Sequence, residues 1–140
     1  MSLPGFMPYG GSRLRLTRRK MVASEAKSIG DVLTHTSGAD TLEAAATNGT
    51  FVAVYIDADR SVGETDTPFK SVMLITPDMQ WSAVRETGTL TVADVGTDVD
   101  LNSADGLAVD ASTNDDFHID KYVDANTCVG RFNNGFPRTI

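Results

Sequence analysis

The residues of this chain that could carry out catalysis are few and far apart. Among its 140 residues there are two histidines, His35 and His118, and one cysteine, Cys128. Neither histidine has a neighbour at the spacing of a metal-ligating pair, and a single cysteine cannot form a thiolate metal site. Cys128 falls in a predicted strand, where cysteine is usually a small core residue. Because nucleophile-elbow, phosphate-loop and dinucleotide motifs are also missing, we expect no enzyme activity and no cofactor.

Carboxylates are plentiful, and two groups of them have a spacing that could serve catalysis or metal binding. In the first group, Asp57 and Asp59 precede a polar loop that holds Glu64 and Asp66. Paired carboxylates can act as general acid and general base. Acidic residues recur throughout this chain, however, so the pairing is weak evidence for such chemistry.

The second group has oxygen-bearing side chains at alternate positions, as in a calcium loop. Asp98, Asp100 and Asn102 are followed by Asp105 and Gly106. The glycine arrives too late for the EF-hand pattern, and in a strand these three residues would form the solvent-facing side beside inward Val99 and Leu101. We therefore expect no metal site here, and a calcium-dependent binding module remains an alternative.

The elements that must position these residues are short strands. Segments rich in β-branched and aromatic residues recur about every ten residues between Gly, Asp, Asn and Ser turns, which is typical of a sandwich or barrel. The segment Thr50–Ile56 has the composition of a strand buried on both faces. Residues 117–123 and 127–132 flank Asp124–Asn126 and predict a closing hairpin. We predict an all-β domain, a small β-barrel or β-sandwich of about eight short strands with an extended N-terminal arm.

Charge divides the chain unevenly. Residues 1–27 carry six basic groups and one acidic group, whereas residues 28–140 carry six basic and eighteen acidic groups. Such a split is typical of a binding tail on a soluble body. The prediction is a flexible basic arm over residues 1–27, a β domain over 28–133 and a C-terminal tail over 134–140. No apolar run is long enough for a membrane-spanning helix, so we expect no membrane partner.

The arm combines apolar residues with an alternating basic stretch, RLRLTRRK, that suits an extended strand. We expect it to become ordered on a partner's surface. The predicted partner-binding residues are Phe6, Tyr9, Arg13, Arg15, Arg18, Arg19 and Lys20. Nucleic acid is a competing partner because these cations could contact phosphates. The basic stretch has no interleaved aromatic residues, and the acidic body would repel nucleic acid, so a protein surface is favoured.

From Ile29 to Asn133 the chain resembles the capsid decoration, or cement, proteins of tailed phages. Three stretches carry the resemblance. They are Gly30–Leu33 (GDVL), Gly96–Leu107 (GTDVDL leading to DGL), and Phe117–Asn133 (FHIDKYV, then TCVGRFN). Similar short sequences of a strand followed by a turn occur near the C-termini of these virion proteins.

The resemblance implies a structural virion protein that sits on the outer surface of the head. Such proteins are often trimers, and they clamp neighbouring major capsid subunits against the pressure of packaged DNA. The implied partner is thus the major capsid protein, the implied assembly is a homo-trimer, and the implied location is the outer capsid of a virion assembled in the host cytoplasm. A head–tail connector or tail structural protein is the alternative within the same class.

Overall fold

The structure is a computed structural model, and it describes residues 5–10, 14–46, 50–76 and 78–133. Within these ranges the chain forms short strands and one 3-10 turn, Val92–Asp94. The strands are β1 (Met7–Tyr9), β2 (Leu16–Lys20), β3 (Val32–His35), β4 (Leu42–Ala44), β5 (Ala53–Tyr55), β6 (Phe69–Leu74), β7 (Gln80–Thr87), β8 (Asp98–Ser103), β9 (Gly106–Ala108), β10 (Phe117–Tyr122) and β11 (Thr127–Phe132). The prediction of an all-β domain is confirmed, with eleven strands in the described ranges rather than about eight.

The first sheet closes on itself. Its strand order is β1-β7-β11-β10-β8-β9, and β7 also pairs in parallel with β9. These pairings form a five-stranded barrel to which β1 is added along the early part of β7. The predicted closing hairpin is confirmed as β10 and β11, which pair antiparallel across the loop 123–126.

The second sheet has the order β2-β6-β5-β3-β4. A bridge between Met21 and Leu42 links the chain just after β2 to the start of β4, so the sheet curls toward closure. β5 is its central strand, and the residues from Phe51 to Tyr55 are all buried, as expected for a strand covered on both faces.

Two apolar clusters fill the part of the molecule that the structure describes. The larger lies between the sheets and is rich in rings, with Phe6, Phe51, Trp81, Phe117 and Phe132 all buried. The smaller covers the opposite face of the second sheet and holds side chains that alternate with those of the larger cluster. Its members are Met21, Leu33, Leu42, Val52, Ala53, Tyr55 and Val72. The period-2 alternation of strands therefore places successive residues of β5 in different cores.

The predicted flexible arm over residues 1–27 requires correction wherever the structure describes it. β1 pairs with β7, and β2 pairs with β6 along its whole length. Further along, Lys27 bridges Arg60. The physical reason is that Phe6 and Met21 bury their side chains completely, and this burial holds the flanking segments on the body.

A close backbone contact lets the N-terminal segment enter the core. The Phe6 N–H donates to the Gly30 carbonyl over 2.9 Å. A Cβ atom on Gly30 would collide with the backbone of Gly5, and Gly30 has a φ of +97° that favours glycine. The predicted tail over residues 134–140 lies outside the described residues.

Candidate functional site

Phe6 is not available for binding a partner, contrary to the sequence-based prediction. Its side chain has no solvent exposure. Its ring centroid lies 5.0 Å from that of Phe132 and 5.7 Å from that of Phe117. An aromatic residue in a Pro- and Gly-rich segment was expected to dock on a neighbouring protein, but the chain's own barrel supplies the apolar partners instead.

Tyr9 lies in β1, at the edge of the first sheet, and is half-buried. Its hydroxyl accepts a hydrogen bond from Lys121 Nζ at 3.1 Å, and the same ammonium group lies 5.6 Å from the centre of the ring. Tyr9 therefore belongs to the surface of the first sheet. It does not lie beside Arg18, Arg19 and Lys20, which belong to β2 of the second sheet.

The remaining predicted residues converge on β2, and Arg13 lies outside the described residues. Arg15 precedes the strand, while Arg18, Arg19 and Lys20 lie within it. Pairing with β6 adds Lys70, which stands opposite Arg19. We call this group of cations the basic edge. Its members are Arg15, Arg18, Arg19, Lys20 and Lys70.

Apolar side chains are exposed beside these cations. Leu14 is 47% exposed and Leu16 is 64% exposed. Phe69, which stands opposite Lys20 on β6, is 57% exposed. Leu16, Arg18 and Lys20 share one face of β2 because side chains alternate along a strand. Exposed apolar groups interleaved with arginine are typical of surfaces that bind other proteins.

The cations of β2 are only lightly neutralised. Lys20 Nζ lies 3.7 Å from a carboxylate oxygen of Asp40, which is itself highly exposed. Arg18 donates to the backbone carbonyl of Phe69 over 2.8 Å, and Arg19 lies 3.5 Å from His35 Nε2. Within the described ranges no carboxylate lies within 4 Å of Arg18 or Arg19. Their charge is therefore available to an acidic partner.

Sequence reasoning missed Phe69 and Lys70 because they join β2 only through sheet pairing across about fifty residues. Their own segment predicts a strand, but nothing in it specifies β2 as its neighbour. The alternation of Leu14 and Leu16 with arginines did carry a local signal, since it indicates an extended segment with one basic face.

A second polar group lies on the outer face of the first sheet. His118 Nδ1 is 2.9 Å from Asp98 Oδ1, and His118 Nε2 is 3.8 Å from Asp120 Oδ1. Arg131 donates two hydrogen bonds of 2.9 Å to Asp120. As expected, His118 points away from the buried side chains of Phe117 and Ile119. This network ties β8, β10 and β11 together through their side chains.

The acid–base character of this network is set by its arginine. Partial burial favours the neutral form of Asp120, but hydrogen bonds from Arg131 and Gln80 outweigh it and lower the pKa of that carboxyl. The same contact raises the pKa of Arg131. Asp120 is therefore a stable anion in a salt bridge and is poorly suited to proton transfer near neutral pH.

Asp100 corrects the expectation that the acids of β8 all face solvent. Its side chain is buried and accepts hydrogen bonds from the backbone N–H groups of Asn114, Asp115 and Thr113 at 2.8, 2.9 and 3.2 Å. The carboxylate of Asp116, which is also buried, accepts a hydrogen bond of 2.9 Å from the Leu101 N–H. The loop of residues 113–115 lies over the Asp100 side chain, so this carboxylate supplies acceptors for three of the loop's backbone N–H groups. The carboxylate thus fixes the loop before β10.

The carboxylates around residues 57–66 also serve the fold. Arg60 is nearly fully buried, with Nη1 3.3 Å from Asp66 Oδ1 and 3.6 Å from Glu64 Oε1. Asp57 accepts hydrogen bonds from two backbone N–H groups, first that of Ser71, which lower the pKa of its carboxyl. Asp57, Glu64 and Asp66 are therefore engaged in ion pairs and hydrogen bonds that shape the loop, whereas Asp59 is exposed.

The described residues contain no group of three or more His, Cys, Asp or Glu side chains placed to hold a metal ion. An open cleft of about 240 Å³ lies near the 3-10 turn, and its acidic lining residues are Asp94, Asp98 and Asp110. In the same ranges, no helix has the length and apolar character needed to cross a bilayer.

Comparisons with known proteins do not assign this chain to a family. No protein-family model matches it, and no curated protein matches it either. Function is therefore inferred from surface chemistry, and the basic edge is the candidate functional site.

Proposed function

We propose that this chain is a structural virion protein that decorates the outer surface of a tailed-phage head and stabilises contacts between major capsid subunits. The observation that carries the proposal is the basic edge, a cluster of cations and exposed apolar side chains on a body that is otherwise acidic. The resemblance of residues 29–133 to decoration proteins supports the same class of function.

The distribution of groups favours binding over catalysis. Cys128 is fully buried, and this burial raises the pKa of its thiol to about 12, so the thiolate needed for nucleophilic attack is disfavoured. The buried cation Arg60 and the buried anion Asp100 both satisfy structural partners. By contrast, the cations of the basic edge face solvent with few counter-charges.

An acidic protein surface is a better partner for this edge than nucleic acid. Exposed Leu14 and Leu16 lie among the arginines, and leucine gains free energy from an apolar contact that a phosphate backbone does not offer. The many acidic groups in residues 28–140 would repel a polyanion that reached beyond the edge. A protein shell offers both acidic side chains and apolar grooves.

Repetition on a shell would strengthen modest contacts. Several linked copies bind with an effective concentration that turns weak single contacts into tight attachment. A homo-trimer at a threefold position would use this effect directly. The acidic remainder of each copy would face solvent and keep decorated particles from associating.

The test compares two matched charge reversals in their binding to heads assembled from the major capsid protein of the source genome. Arg18→Glu reverses a charge at the basic edge, and Lys121→Glu makes the same change on the first sheet. We expect Arg18→Glu to weaken head binding at least tenfold and Lys121→Glu to change it less than threefold, with both proteins folded by circular dichroism. Equal binding by both variants and the wild type would overturn the proposal.

A further inference from the structure

The backbone of β2 has one side bonded to β6 and the other side open. The Leu74 N–H donates to the Arg15 carbonyl over 2.8 Å, and the Met21 N–H donates to the Pro68 carbonyl over 2.9 Å. In an antiparallel pair, alternate residues direct their N–H and C=O groups at the partner strand. Arg15, Thr17, Arg19 and Met21 therefore point toward β6. The intervening residues direct their backbone groups to the opposite side.

That opposite side is covered only beyond the end of β2. Met21 bridges Leu42, and the Val22 N–H donates to the Leu42 carbonyl over 3.0 Å. Earlier in the strand, β2 is the last member of the sheet order. No strand in the described part of the chain pairs with the outward N–H and C=O groups of Leu16 and Arg18.

We propose that this open edge of β2 receives an extended acidic segment of the partner protein as an added strand. The inference rests on the proposed function and specifies how the basic edge binds. Backbone hydrogen bonds to Leu16 and Arg18 would supply affinity, and side chains beside the edge would supply specificity. An added strand would also pair the outward N–H and C=O groups of β2, which otherwise form an edge open to unwanted pairing with other chains.

The side chains define which segment fits. Leu16 and Arg18 lie on one face of β2, and Arg19 lies on the other because side chains alternate. The incoming strand should therefore place an apolar residue beside Leu16 and acidic residues beside Arg18 and Arg19. These two acidic residues would lie on opposite faces of the added strand.

A second copy of β2 is a poor occupant of the same edge. Pairing two β2 strands would bring arginine and lysine side chains close to one another across the ladder, and like charges at cross-strand positions destabilise a sheet. β1 is also unsuitable, since its sequence is Met7-Pro8-Tyr9 and contains no acidic residue. Charge complementarity therefore selects an acidic segment of another protein.

The test uses two substitutions at one position. Leu16→Pro removes the outward N–H that an added strand would need, and it leaves the inward groups of Arg15 and Thr17 bonded to β6. Leu16→Thr removes the same side chain and keeps the N–H. We expect Leu16→Pro to weaken binding to assembled heads at least tenfold and Leu16→Thr to weaken it less than threefold.

The possible outcomes distinguish a failure of strand addition from a failure of the proposed function. If both Leu16 variants bind like the wild type while Arg18→Glu does not, strand addition fails and charge-driven docking stands. Equal losses in both Leu16 variants would assign the effect to the side chain and also overturn strand addition. If none of the three variants loses binding, the proposed function fails as well.

Hydrogen exchange on the wild-type protein gives a second readout that needs no variant. Amides of Leu16 and Arg18 should exchange fast in the free protein and become protected on heads, whereas Thr17 and Arg19 should be protected in both states. Unchanged exchange at Leu16 and Arg18 on saturated heads would overturn strand addition even if Leu16→Pro fails to fold.

Discussion

The ring of Phe6 packs against that of Phe132, with centroids 5.0 Å apart. This contact joins the residue just before β1 to the end of β11, inside the larger core. We predict that Phe6→Ala lowers the free energy of unfolding by about 3 to 5 kcal/mol, because it removes a fully buried aromatic side chain. Urea denaturation measures the effect. Leu14→Ala, at a half-exposed position, is the control and should stay within about 0.5 kcal/mol of wild type.

Because of this contact, the N-terminal segment cannot be deleted without disturbing the core. Deleting residues 1–20 would remove β1, β2 and Phe6 together, so we expect an unfolded or aggregating product. A folded, monodisperse truncated protein with an unchanged melting temperature would show that the N-terminal segment is a separable arm after all.

Asp100 should be a stabilising residue of the barrel. We predict that Asp100→Asn lowers the free energy of unfolding by about 1 to 3 kcal/mol, because the amide cannot accept all the backbone hydrogen bonds that the carboxylate accepts. Asp59→Asn removes a charge at an exposed position and should be close to neutral. Equal stability of both variants in urea would contradict the assigned role of Asp100.

Cys128 should resist thiol reagents in the folded protein. Burial raises the pKa of its thiol from 9.0 to about 12, so at pH 8 the thiol is protonated and inaccessible. With a disulfide exchange reagent at pH 8, we expect labelling at least a hundredfold slower than in denaturant, where one thiol per chain should react. Comparable rates in the two conditions would mean that β11 opens readily.

Asp120 should contribute to acid sensitivity. Because its pKa lies below the ordinary value of 3.8 in the folded protein, its contribution to stability is full above that value and disappears as the pH falls through the lowered pKa. The stability gap between wild type and Asp120→Asn in urea should therefore shrink from pH 6 to pH 3. Asp59→Asn provides the reference for general charge effects. A gap that is constant with pH would contradict the salt bridge with Arg131.

The sequence predicts where the strands of this protein lie better than it predicts which elements pack against each other. The burial of β5 and the β10–β11 hairpin follow from composition and turn residues, which act locally. The fate of Phe6 could not be predicted, since an aromatic residue among Pro and Gly is equally compatible with docking on another protein and with entering a distant core. Its destination depends on Phe132, far along the chain.

The candidate site was partly predictable for the same reason. Arg13 and Arg15 alternate with Leu14 and Leu16, and the basic residues of β2 follow directly, so the sequence indicates a charged extended segment. The addition of Phe69 and Lys70 depends on register with β6, which nothing near β2 encodes. The burial of Asp100 is equally nonlocal, because its hydrogen-bond donors belong to the loop before β10.

The most direct measurement of the central claim is a symmetry-resolved image reconstruction of heads saturated with this protein. The proposal predicts density on the outer surface at threefold or quasi-threefold positions, with Arg18 and Arg19 of β2 facing the major capsid protein. Density confined to a sixfold or twelvefold ring would place the protein at the head–tail junction, and β2 facing solvent on decorated heads would contradict the basic edge as the docking surface.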